Sequence, residues 1–353
     1  MGCVIMAKFK IYKLHFKAPL HISDLREDAS VSQKTIHSDT FHAALIACLA
    51  KVGEQIPENG NLGCIISDLF PYYQQDEKSE AIYFLPMPLQ SSLPQLSDPA
   101  NAKKVKKVQW VDSKLYPQLL KGHCFFGGDE NNLQLIQGAY LTETSLPEDA
   151  SGSKEFIKSE VMQRVAVKDR AGHSDAKPYY VDRITFCDAS GLYFLVSGDD
   201  TSRLDKAVRI LEMEGIGTDR YVGFGFFDTI TKREDGTPLK MEIETPSGAD
   251  HQVSLSMFIP ESKEQLSQLL ASEHVAYDFT RRGGWITTYP YNSYRKNAVY
   301  AFLPGSVFRR TENKESMGRI IDLTPHAQDI SIDHPVWRNG QSITLPIIIN
   351  NRL

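Results

Sequence analysis

The chain has 353 residues, 41% of them hydrophobic and 24% charged, with a formal net charge of −5. That length is the size of two domains, and the composition is that of an ordinary globular protein with a real core. The acidic balance excludes a general binder of polyanions, so a nucleic-acid site has to be a local basic surface, while the acidic remainder suits protein partners.

Five scattered cysteines, Cys3, Cys48, Cys64, Cys124 and Cys187, form no Cys-x-x-Cys pair. They indicate neither a disulfide framework nor a zinc site, and they fit a reduced, cytoplasmic setting. The apolar start, Met1 to Met6, is too short for a signal peptide, and no apolar run approaches the length of a membrane span.

In chain order, Phe9 to Phe16 reads as a strand, with Phe9, Ile11, Leu14 and Phe16 set on one side and Lys8, Lys10, Lys13 and His15 mostly on the other. A polar loop over residues 23–34 carries Asp24, Glu27 and Asp28. Ser38 or Asp39 then caps a helix whose apolar stripe is Phe41, Leu45, Cys48, Leu49 and Val52. Tyr83 to Pro88 is a short strand halted by prolines, residues 91–102 read as a surface loop, and Lys103, Lys104, Lys106 and Lys107 cluster ahead of Trp110. Residues 155–194 form a hairpin-like excursion with a turn-rich tip at 168–173, followed by a buried strand at Leu192 to Val196. A helix over Ser202 to Glu214 puts Leu204, Val208 and Leu211 on one face. Beyond residue 248 come an alternating strand (Val253, Leu255, Met257, Ile259), a short helix at 262–272, and strands near 277–279, 285–288, 299–303 and 343–349.

The order β-α-β, excursion, β-α-β suggests a ferredoxin-like unit. The expected fold is α+β, with two ferredoxin-like (RRM-like) domains at residues 7–240 and 248–353, and a thumb-like insertion at about 155–190.

The segment Gly215-Ile216-Gly217-Thr218-Asp219-Arg220-Tyr221-Val222-Gly223-Phe224-Gly225 holds four glycines within eleven residues, between a helix and a strand. Glycine lets backbone amides approach a ligand closely, and amides arrayed this way make an anion-binding concavity. Arg220 supplies a phosphate partner and Tyr221 a stacking face, a pair suited to single-stranded nucleic acid. No lysine stands where a phosphate loop needs one, and the order helix, loop, strand is wrong for a dinucleotide fingerprint. A tight turn before a strand is the alternative reading of the same glycines.

Several segments taken together resemble one family. They are Ile36 to Phe41, Lys103 to Trp110, Arg164 with the Val165-to-Tyr180 excursion, Gly191 to Leu195, the glycine-rich loop, Arg281 to Trp285, Ala298 to Ser306 and His334 to Gly340. The chain resembles the fourth subunits of type III-A CRISPR Csm effector complexes, in the RAMP superfamily. The resemblance implies a subunit at the foot of the complex that grips the 5′ handle of the crRNA. It also implies docking of the large polymerase-like subunit, contact with a backbone RAMP subunit, target RNA nearby, and no nuclease activity. Asp219 and Tyr221 depart from the family's more familiar loop, so handle contacts there are expected to differ in detail.

On that expectation the RNA-binding residues are Gly215, Ile216, Gly217, Arg220, Tyr221, Gly223 and Gly225, joined by His21, His37 and Ser38. Arg164, Lys168 and Arg170 complete the set as a basic arm on the excursion. Phe224 and Phe226 are expected in the core, and Asp39 as a helix cap. Arg281, Arg282, Arg295 and Lys296 face either RNA or the large subunit, and the sequence does not choose. No cofactor, metal or membrane is expected. One alternative is a metal-free crRNA-processing endoribonuclease using His21, His37 and His42, since such cleavage needs a general acid and base. Another is a pure protein–protein adaptor whose glycines only make turns.

Overall fold

The computed structural model describes residues 5–23, 29–76, 78–89, 103–104, 106–123, 125, 133–147, 154–166, 177–311, 316–325 and 331–349. The acidic trio Asp24, Glu27 and Asp28 lies outside them.

The first part of the chain gives β1 (Ile5–Phe16), α1 (Ser38–Lys51), β2 (Ile65–Ile66), β3 (Phe70–Tyr73), β4 (Ile82–Pro86), β5 (Trp110–Asp112) and α2 (Tyr116–Leu120). There follow β6 (Gln134–Ile136), β7 (Tyr140–Thr142), β8 (Ile157–Ala166), β9 (Lys177–Phe186), β10 (Ser190–Ser197), α3 (Ser202–Glu214), β11 (Phe227–Ile230) and β12 (Lys240–Thr245). The main sheet runs β11-β1-β10-β3-β4-β5-β7-β6, with β12 beside β1 and β2 beside β10. Along one edge of β1, β12 pairs with the first half (Ile5 opposite Thr245) and β11 with the second (Phe16 opposite Phe227). β8 and β9 form a separate antiparallel hairpin, from Ile157 opposite Phe186 to Ala166 opposite Lys177.

The apolar residues of β1 do not share one side. Tyr12, Leu14 and Phe16 pack with Phe41, Leu45 and Leu49 of α1 and Leu204, Val208 and Leu211 of α3. Ala7, Phe9 and Ile11 point the other way, into a second core with Phe70, Tyr193 and Leu195. Side chains of a strand alternate faces, so residues of different parity cannot lie together. One core covers one face of the first half of β1 and the other core the opposite face of the second half, so the apolar parity changes along the strand while Lys8 stays exposed.

That second core reaches past residue 248. The last part of the chain adds β13 (His251–Ser254), α4 (Lys263–Leu269), β14 (Phe279–Arg282), β15 (Val299–Phe302), β16 (Val307–Arg309), β17 (Ser316–Met317), β18 (Ile321–Asp322), β19 (Trp337–Arg338) and β20 (Ser342–Ile347). β16-β13-β20-β17 form a sheet whose Val253, Val307, Ile343, Leu345 and Ile347 meet Phe9, Ile11 and Phe70. The architecture is mixed α+β, rich in sheet and poor in helix, in three layers: α1 and α3, the long sheet, and the C-terminal sheet with α2. Among the described residues, no helix is long and apolar enough to cross a membrane.

Two carboxylates at the mouth of α1 fasten the C-terminal part to the first helix. Asp68 accepts from the Ser38 amide and the Met257 amide on Oδ1, both at 2.9 Å, and meets His37 Nδ1 with Oδ2 at 2.6 Å. Asp39 is buried and takes Arg282 Nε (2.8 Å) and Arg338 Nη1 (2.6 Å) on Oδ2, with Arg282 Nη2 on Oδ1 at 3.1 Å. Burial alone raises the Asp39 pKa, but Arg338 and Arg282 outweigh it and hold the carboxyl well below the usual carboxylate range. Asp39 is thus an ion-pair partner and not the helix cap expected from its position; the capping oxygen at Ser38 comes from Asp68, thirty residues on.

Removing one member of a buried ion pair leaves the others charged and desolvated. Asp39→Ala is therefore expected to lower unfolding free energy by about 3–5 kcal/mol, read from urea midpoints against the wild type. A loss within the scatter of ordinary surface substitutions contradicts the assignment.

Candidate nucleic-acid interface

The glycine-rich loop leaves α3, turns, and enters β11. Its base is stitched shut by main-chain bonds. The Gly215 amide donates to Leu211 O (2.8 Å), Ile216 N to Gly225 O (2.9 Å), Thr218 N to His21 O (3.0 Å), and Gly225 N to Pro19 O (2.8 Å). Gly225 has φ +75°, and a Cβ there would lie 1.8 Å from the Ile216 carbonyl oxygen. Gly217 is as confined, with a Cβ position 2.5 Å from His21 O. At the tip, Arg220–Val222 make one 3-10 turn, in which Val222 N and Phe224 N donate to Asp219 O and Gly223 N to Arg220 O.

These bonds correct the expectation of bare amides along the whole loop. Gly215, Ile216 and Gly225 are buried, and the amides of Gly215, Ile216, Gly223 and Gly225 are all committed inside the fold. A bonded amide is not available to an anion without breaking what it already has. Among the described residues, the amides of Gly217, Asp219, Arg220 and Tyr221 have no intramolecular acceptor. Those of Asp219, Arg220 and Tyr221 lie at the tip, where Tyr221 is 87% exposed and Arg220 reaches into solvent with Nη1 3.8 Å from Glu214 Oε2.

Arg164 stands on the β8–β9 hairpin and turns toward this loop. Its Nη1 donates to Asp219 Oδ2 at 2.6 Å, and its guanidinium lies 5.0 Å from the centroid of buried Phe224. Arg164 is therefore a clasp between hairpin and loop, and its charge is neutralised by Asp219. Asp219 itself adopts φ +61°, a left-handed conformation that aspartate tolerates better than most residues. Lys168 and Arg170 lie outside the described residues.

The structure buries His21 and Ser38 and holds the partly exposed His37 against Asp68. His21 is buried, with Nδ1 donating to the Asp182 carbonyl at 2.6 Å. Asp182 also fixes Ser32 N and Ser159 Oγ, so this corner ties the segment after β1 to the hairpin. His37 is half-buried against Asp68; burial opposes its charge, but the Asp68 carboxylate prevails and raises its pKa. Ser38 is fully buried, and its Oγ has no partner among the described residues. His42, the third histidine of the endoribonuclease reading, is buried with Nε2 donating to Gly60 O at 2.9 Å. Burial pushes its pKa down from 6.5 to about 4. The histidines at the first helix thus serve packing. Asp68, which holds His37 and the Ser38 amide, was missed from sequence. Its signal was a lone carboxylate inside the apolar run Ile65 to Phe70, where a buried charge demands several donors.

A family model for the CRISPR Csm4 C-terminal domain matches residues 247–347. The CRISPR system Cms protein Csm4 of Mycobacterium tuberculosis is 26% identical over 317 residues, covering 88% of this chain and 89% of that protein. The protein of the same name from Thermococcus onnurineus is 26% identical over 235 residues, covering 63% and 64%. Among solved structures, the chain is similar to one in the crystal structure of the Csm3-Csm4 subcomplex of the type III-A CRISPR-Cas interference complex. The TM-score is 0.58 at 18% identity, over 96% of this chain and 99% of that one. It is also similar to a chain in the Csm1-Csm4 cassette in complex with pppApA, with TM-score 0.55 at 19% identity over 98% and 100%. At such identities the solved structures establish a common fold.

His42 gives this region a pH signature. The unfolded chain takes up a proton near pH 6.5 and the folded chain only near pH 4, so the folded state binds fewer protons between them. Stability from this group is present above pH 6.5 and is lost as pH falls through that window, by at most about 1.4 kcal/mol per pH unit. In His42→Gln, which keeps a donor for Gly60 O, the fall in urea midpoint should be shallower than in wild type. Parallel curves contradict it.

Proposed function

We propose that the chain, similar to Csm4 over 88% of its length and to the Csm4 C-terminal domain over residues 247–347, is a non-catalytic, RNA-binding scaffold subunit of a type III-A CRISPR effector complex. It anchors the 5′ handle of the crRNA and docks a Csm1-type large subunit and a Csm3-type backbone subunit in antiviral defence. Solved relatives come from Csm3-Csm4 and Csm1-Csm4 assemblies, which supports those partners.

The observation that carries the RNA role is the projecting tip on a rigid base. Arg220 and Tyr221 stand exposed, with uncommitted amides at 217, 219, 220 and 221, above a loop closed by its own backbone. Single-stranded RNA offers phosphates and unstacked bases, so an arginine, a tyrosine and free amides within one turn match it in kind. The tip is small, which suits a local contact on an acidic body and not a broad electrostatic surface.

The strand order β11-β1-β10-β3, with α1 and α3 packed on one face, supports reading the first unit as ferredoxin-like. The non-catalytic role is supported by the histidines: His21 and His42 are buried and His37 is held by Asp68, so none is placed as an accessible acid or base.

The test uses a labelled single strand with the sequence of the crRNA handle. Arg220→Ala combined with Tyr221→Ala should weaken binding by about 1–3 kcal/mol from lost stacking, and flatten the dependence of log K on log salt by about one unit. Affinity and salt slope equal to wild type refute the assignment of the tip.

A further inference from the structure

The hairpin formed by β14, β15 and the chain between them presents a second surface with RNA-binding chemistry, built from residues other than those of the loop. In the β14–β15 register Phe279 faces Phe302, Thr280 faces Ala301, Arg281 faces Tyr300 and Arg282 faces Val299. Directly opposed residues share a face, so the ribbon has two distinct sides. Its inner side is occupied: Ala301 packs with Met257 and Ile259, Val299 joins them, and Arg282 reaches Asp39. Its outer side carries Phe279, Arg281 and Tyr300.

Those outer residues are not covered by the fold. Phe279 is 53% exposed and Tyr300 62%, and their rings meet edge to face at 5.8 Å. Tyr277, 45% exposed, continues the row 6.4 Å from Phe279 and 5.2 Å from Phe302, whose own ring packs onto Phe258. Arg281 is exposed between the aromatics and has no acidic partner among the described residues. Further along the hairpin the Arg295 guanidinium lies over the Trp285 ring at 4.8 Å.

Charge selects the occupant. From Tyr277 to Phe302 the chain exposes Arg281 and Arg295 against one acid, Asp278, on a protein whose net charge is −5, while Arg282 of the same stretch is spent on Asp39. Aromatics and arginine also mark protein-docking faces; what favours RNA here is their alternation along one exposed row, Tyr277, Phe279, Arg281 and Tyr300. A row of exposed rings interleaved with cations is the arrangement that stacks bases while meeting phosphates.

We propose that the outer face of the β14–β15 hairpin is a second single-stranded RNA surface, on which Phe279 and Tyr300 stack bases and Arg281 engages a phosphate. The site shares no residue with the Arg220 tip and does not depend on the handle assignment.

The experiment uses the full-length chain and a single-stranded oligouridine carrying 4-thiouridine, with anisotropy for affinity and peptide mapping for crosslinks. Wild type should crosslink within residues 277–302, and these crosslinks should persist in the Arg220→Ala, Tyr221→Ala variant. Phe279→Ala with Tyr300→Ala should weaken binding roughly tenfold or more, whereas Phe279→Trp with Tyr300→Phe should retain it. Wild type without crosslinks in 277–302 overturns the proposal, as does an alanine pair that folds and binds oligouridine like wild type; either result leaves a protein-docking face. Handle binding lost in the tip variant while wild type shows no crosslinks in 277–302 leaves the handle assignment standing and this one fallen, and the reverse pattern does the opposite, so the two fail separately.

Discussion

Asp39 sits at the mouth of α1 with guanidinium groups on both oxygens, and through them the first helix, the 279–302 hairpin and Arg338 hold one relative position. The carboxylate gives up water to do so, and such a pair is weak evidence for net stability against an apolar substitute. Its value is geometric. Two arginines separated in the chain can satisfy one buried carboxylate only when all three elements are seated. Asp68 does the same for the next element, tying His37, the start of α1 and the Met257 amide together. Because α1 packs beside α3 in the same core, and α3 ends in the glycine-rich loop, this fastening also sets the position of the loop.

The loop shows why glycine content alone says little about ligand contact. Glycines at 217 and 225 are required because backbone carbonyls lie where a Cβ would be. They permit a closed base, which spends the amides that a phosphate-binding reading would use. What remains for a ligand is the short tip, and its orientation is fixed by the bond from Arg164 to Asp219. A charge that looked like part of a basic arm is instead internal structure holding the hairpin against the loop. Exposed arginines beside exposed aromatics thus stand at Arg220 and along the 281–295 segment, on a protein whose net negative charge disfavours indiscriminate binding.

Much of the fold was legible where local pattern and environment agree. α3 shows its stripe in Leu204, Val208 and Leu211 and its end in Gly215, and the structure has it at Ser202–Glu214. The β8–β9 excursion and the buried strand β10 were likewise visible, because turn residues and continuous apolar runs mark them. β1 misled for a physical reason: between Ile11 and Tyr12 its apolar parity shifts, since two different cores cover its two faces. Asp39 could not be placed, because its partners stand 243 and 299 residues away. In the candidate site, Arg220 and Tyr221 were legible as side-chain chemistry. The fate of each amide, and the burial of His21 and Ser38, depend on tertiary contacts that no local spacing encodes.

Amide hydrogen exchange on the whole chain, with and without handle RNA, tests the central claim most directly, because it reads each backbone group of the loop in turn. Within the loop, the claim predicts new protection on RNA binding at the amides of 217, 219, 220 and 221, with the already bonded amides of Gly215, Ile216 and Gly225 unchanged. Protection that appears elsewhere on the chain while residues 217–221 exchange as fast as before would contradict it.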